Sequence, residues 1–125
     1  MDFKELRKKV GVEVAVVIAQ KELPVGFWEE ITLNECFSIY RKVPTDSELS
    51  KTALAKIIEK EGTFNEWFNI YKHACYGSEL KEVALAKMIK NKGTLSEWSE
   101  VYKSAPNDSE LKKAALKQLQ AIYNS

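Results

Sequence analysis

Apolar residues recur along this chain at the spacing of an amphipathic helix, and the pattern itself recurs. Leu49, Ala53, Leu54, Ile57 and Ile58 fall at i, i+4, i+5, i+8 and i+9, which is one face of a helix. Further on, Phe64, Trp67, Phe68, Tyr71 and Ala74 fall at i, i+3, i+4, i+7 and i+10, a second stripe. The start of each predicted helix is marked. Ser47 is a favourable N-cap with Glu48 in the first turn, where the helix dipole favours a carboxylate. Thr63-x-x-Glu66 is a capping box, in which hydroxyl and carboxylate each accept from the other residue's amide. Gly62 is predicted to end the first helix, because glycine reaches the left-handed conformation cheaply.

The same arrangement returns 31 residues later. Ser47-Glu48-Leu49 becomes Ser78-Glu79-Leu80 and then Ser109-Glu110-Leu111. Gly62-Thr63 with Glu66, Trp67, Tyr71 and Lys72 becomes Gly93-Thr94 with Glu97, Trp98, Tyr102 and Lys103. One period upstream stands Thr32-x-x-Glu35, with Cys36 in the tryptophan column. About half of the positions in 47–77 match those in 78–108, and the shared residues are mostly apolar or turn-forming. A fixed period of this length is the mark of a helical repeat.

The expected fold is all-α, a right-handed α-solenoid of about three stacked helical hairpins plus a C-terminal capping helix. Residues 1–46 form an atypical N-terminal unit, 47–77 and 78–108 are the repeats, and 109–125 is the closing helix. In that helix Ala55 and Ile58 of the first repeat are replaced by Lys117 and Gln120, as an outward-facing cap requires. Near the start, residues 12–23 look helical, Gly11 is a candidate break, and Pro24-Val25-Gly26 interrupts the chain. Phe27, Trp28 and Ile31 add an apolar turn that is a candidate extension of the next helix at its front end.

Tandem hairpins with a small-residue first helix and an aromatic second helix resemble the α-solenoid group that includes tetratricopeptide and HEAT-like repeats. The period here is shorter, and the tetratricopeptide signature is not present in register. The resemblance implies protein–protein scaffolding first and nucleic-acid binding second.

Composition narrows the function classes without selecting one. The 125 residues carry 19 basic and 18 acidic side chains, a formal charge of +1, so no strong pull toward nucleic acid or membrane is expected. The longest apolar run, Val14–Ala19, is too short to span a bilayer, and the charged residues before it lack a signal-peptide pattern. Cys36 and Cys75 occupy non-equivalent columns, which fits unpaired thiols in a reducing compartment and a cytoplasmic location.

No catalytic, cofactor-binding or metal-ligating constellation emerges. His73 has no ligand partner at metal spacing, and its column holds Lys42 and Ser104 in the neighbouring units. The row Glu35, Glu66 and Glu97 is explained by capping, and Trp67 and Trp98 by the apolar stripe. Lysines 51, 56, 60, 87, 90, 112, 113 and 117 on the first helices read as a solvated face.

The expected partner surface lies on the second helices. There Asn34, Ser38 and Arg41 are followed one period on by Asn65, Asn69 and Lys72, and then by Ser96, Glu100 and Lys103. Trp28, outside the repeat register, is the candidate exposed anchor. The expected function is non-enzymatic binding of a protein or peptide. Nucleic-acid binding through the Lys/Arg columns is the alternative, and self-association through the N-terminal helices a further one.

Overall fold

In the computed structural model, which describes residues 1–75 and 77–125, every regular element is an α-helix. Contacts along the chain divide it into two units, Met1–Gly62 and Thr63–Ser125.

The first unit holds α1 (Phe3–Val10), α2 (Val12–Ile18), α3 (Phe27–Glu30), α4 (Leu33–Lys42) and α5 (Glu48–Glu59). Gly11, at φ 85°, separates α1 from α2, so the opening segment is two helices. Asp2 caps α1, its carboxylate accepting from the Glu5 amide at 2.8 Å. The apolar turn at Phe27 does not extend α4. It forms the separate α3, entered through left-handed Gly26 and left through extended Ile31, because Thr32 must itself be extended to cap α4. Phe27 stands edge-on to both Phe3 and Trp28, with ring centroids 5.2 Å apart in each pair. Helix α4 packs on α5, burying Leu33, Cys36, Phe37 and Ile39 with Leu49, Ala53 and Ile57.

Two polar contacts tie the opening helices to α4. Ser38 donates to Glu13, and Arg7 pairs with Glu35 at 2.7 Å. Glu35 also serves its own capping box, accepting from the Thr32 amide at 3.0 Å. The Thr32 amide above all holds its carboxyl below the ordinary 4.5; burial opposes it, and the Arg7 guanidinium adds to the lowering.

The second unit holds α6 (Phe64–His73), α7 (Glu79–Lys90), α8 (Leu95–Ser104) and α9 (Glu110–Tyr123). The helices that pack along each other are α6 with α7 and α8 with α9. Each close pair therefore runs from a threonine-capped helix to the serine-capped helix that follows it, as α4 and α5 also do. Serine caps Ser47, Ser78 and Ser109 each take the amide three residues on, at 3.1–3.2 Å. Before each of them, a turn bond from the serine amide reaches back three residues, to the carbonyls of Pro44, Cys75 and Pro106. Gly77 and Asp108, one period apart, both turn through positive φ, at 74° and 64°.

The glycines of the Gly-Thr pairs play another part than the one their position suggests. Helix α5 already stops at Glu59 with an extended C-cap at Lys60, before Gly62 is reached. After α7 the left-handed residue is Lys92, at φ 49°, and Gly93 is needed for space. A Cβ on Gly93 would stand 2.6 Å from Phe64 Cε2 and 3.0 Å from Trp98 Nε1. Over this glycine the Phe64 and Trp98 rings meet edge to face, with centroids 4.9 Å apart. The indole N–H of Trp98 has no oxygen acceptor, and neither has that of Trp67, although both residues are fully buried.

Gly93→Ala is expected to lower unfolding free energy by about 1–3 kcal/mol through overpacking. Denaturant melts of G93A, F64L and the double variant check this. The double variant should lose less than the two singles added, because a smaller side chain at position 64 relieves the clash. Arg7→Ala is expected to cost about 0.5–1 kcal/mol at neutral pH. Since the folded Glu35 value lies below the unfolded one, this contribution is complete above about 4.5 and is lost as pH falls through the folded value. Melts of R7A and the parent chain should therefore converge in acid.

Candidate binding groove

The residues expected to form a partner face divide between the two units. On α4, Asn34 and Arg41 are exposed, while Ser38 is half-buried and engaged with Glu13. On α6 and α8, Asn65, Asn69, Lys72, Ser96, Glu100 and Lys103 are all exposed. Two of the cations lie over rings of their own helix: Arg41 is 5.5 Å from the Phe37 centroid and Lys72 is 4.6 Å from that of Phe68. Ser99 takes the ring position on α8, so Lys103 has no equivalent platform. His73 closes α6, with Nδ1 2.9 Å from the Asn69 carbonyl oxygen.

Trp28 is not an exposed anchor. It is only 9% exposed, because the Phe27 ring stands against it in the short helix α3. Its surroundings include Glu29, Lys56, Glu59 and Lys60, and Lys56 pairs with Glu29 at 3.6 Å.

Several lysines expected on a solvated face lie against aromatic rings. Lys87 on α7 lies 5.5 Å from the Trp67 centroid, and Lys112 on α9 lies 4.5 Å from that of Tyr102. One period before Lys112, Lys81 lies 4.4 Å from the Tyr71 centroid and donates to the Tyr71 carbonyl at 2.9 Å. These side chains lay aliphatic stems on the preceding helix and complete each close pair. The sequence carried a signal for them: lysine sits ten residues after tyrosine in both repeats.

A concavity lies in the second unit, on the α7 side. It is an open groove of about 580 Å³ between the outward face of α7 and the turn that leads into α9. Leu85, Ala86 and Ile89 make an apolar floor, and Tyr71 with Lys81 closes one end. Ile89 is 38% exposed along it. Glu82 stands on the α7 rim, with Asp108 and Glu110 opposite. Apolar floors with a few polar groups at the edge are what binding clefts commonly present. The expected face on the second helices and this groove on the first helices are thus different surfaces, and only Tyr71 of α6 reaches the groove.

Among the described residues, no three His, Cys, Asp or Glu side chains are grouped to hold a metal, and no helix is long and apolar enough to cross a membrane. No protein-family model, curated protein or solved structure matches the chain.

The two thiols lie in opposite environments. Cys75 is exposed. Cys36 is buried, its Sγ 3.7 Å from the Ala53 carbonyl, and burial pushes its pKa up to about 11 despite the nearby Lys60 and Lys56. A chromogenic disulfide reagent is expected to titrate one thiol rapidly in the native protein and the second only on unfolding. C75S should abolish the fast phase. Two equally fast thiols would show that the Cys36 position is open.

Proposed function

We propose that this chain is a non-enzymatic helical-repeat module that binds a segment of a partner protein, acting as a small scaffold or adaptor. The observation that carries this reading is the groove on α7, whose floor of Leu85, Ala86 and Ile89 remains open in the folded chain. On this reading the 31-residue register reflects hairpins stacked as a right-handed α-solenoid, closed by α9. The retained Thr–Glu caps and buried apolar side chains support it, because their capping and packing roles leave the outward positions free to vary. Unpaired Cys36 and Cys75 suit a reducing, cytoplasmic setting. The polar column Asn65, Asn69, Lys72, Ser96, Glu100 and Lys103 is a second surface available to the same partner.

Ala86→Trp separates the two surfaces. Ala86 is exposed in the groove, so an indole there fills the floor without entering the core. A random-peptide library selected on the full chain is expected to yield binders that A86W loses by tenfold or more, about 1.4 kcal/mol. Circular dichroism should show the helices of A86W intact. Binders unaffected by A86W but weakened by N69A with K103A would move the site to the second helices.

A further inference from the structure

The groove has a charge as well as a shape, and the charge specifies what fits. We propose that it takes a basic segment carrying an apolar side chain, which seats on Leu85, Ala86 and Ile89 while flanking lysines or arginines meet the acidic rim. This rests on the reading of the groove as the binding site and adds the chemistry of its occupant.

Three carboxylates, Glu82, Asp108 and Glu110, border the floor, and all three residues are exposed. Among the described lining residues the one cation is Lys81. Its ammonium is already engaged, hydrogen-bonded to the Tyr71 carbonyl at 2.9 Å and placed 4.4 Å from the Tyr71 centroid. The hydroxyls of Ser78 and Ser109 are neutral, and each accepts from a backbone amide of its own helix. The N-termini of α7 and α9 add partial positive charge, but that is smaller than the carboxylates placed around them. What faces a ligand is apolar below and, with three carboxylates against one ammonium held at the Tyr71 end, net negative at the edges.

The repeat shows that one of these charges, Glu82, belongs to this one place, whereas Glu110 recurs in its column as Glu79 and Glu48 and Asp108 as Asp46. Glu82 stands where the preceding unit has Lys51 and the following helix has Lys113. The floor position Leu85 keeps its apolar character as Leu54 and Leu116 in the same columns. An acid substituted for the lysine of both neighbouring copies, beside a floor position that stays the same, gives this groove a preference the other helices lack. Complementary charge steers association and excludes partners of the wrong sign.

Three fluorescein-labelled peptides test the proposal by anisotropy on the full chain: one of lysine and leucine, one of glutamate and leucine, and one of lysine and serine. Only the first is expected to bind, with affinity falling as salt rises. E82K with D108N should weaken it roughly tenfold. Both changes lie at exposed positions, and asparagine tolerates the left-handed turn at 108. E82K alone, away from that turn, should give part of the loss. Equal binding of the glutamate–leucine peptide, no binding of any peptide, or an affinity unmoved by E82K with D108N would overturn the charge assignment. If A86W still removes binding while the charge variants do not, the groove stands and only the occupant's chemistry is wrong. If A86W also has no effect, the groove itself falls.

Discussion

Reciprocal capping between threonine and glutamate decides where α4, α6 and α8 begin, and so which side chains of each helix turn inward. In all three the hydroxyl accepts from the glutamate amide while the carboxylate accepts from the threonine amide, at 2.8–3.1 Å. These helices have ten residues each, too short to persist in water without a buried face. Starting them at a fixed residue places Cys36, Trp67 and Trp98 at the same point of the stripe, fully buried in every case. A cap that slipped by one residue would rotate the stripe by about 100° and expose the largest side chains.

Cohesion within the second unit builds on that phase. The close pairs α6–α7 and α8–α9 are sealed by lysine stems lying on tyrosine rings, Lys81 on Tyr71 and Lys112 on Tyr102. The two pairs meet where Phe64 reaches Trp98 across Gly93, a contact that leaves no space for a Cβ. Binding capacity follows from the same geometry. With Lys81 held against Tyr71, the outer face of α7 keeps its apolar floor and its carboxylates uncovered.

The capped starts of the repeat helices and the all-helical class were legible in the sequence, because each depends on residues no more than four apart. Gly11 as a break between two opening helices belongs with them. Other features were misread where a residue's role depends on a distant neighbour. Trp28 looked free because it lies outside the repeat register, yet Phe27 and its surroundings cover it. Gly93 looked like a helix stop, but the left-handed turn falls one residue earlier at Lys92, and the glycine answers a ring on another helix. Leu95, the counterpart of Phe64, is 56% exposed, so equivalent positions in the repeat need not have equivalent partners.

Sequence by itself determined the period, the capped starts and the inward stripe, since caps and helical faces are local consequences of residue order. Only the tertiary structure decided that the close pairs run from threonine-capped to serine-capped helix, that lysines lie on tyrosines, and that an acid-rimmed groove opens on α7. The reason is physical. An amphipathic stripe states that a face must be buried and says nothing of which neighbour buries it, a choice made by side-chain shape when the helices meet.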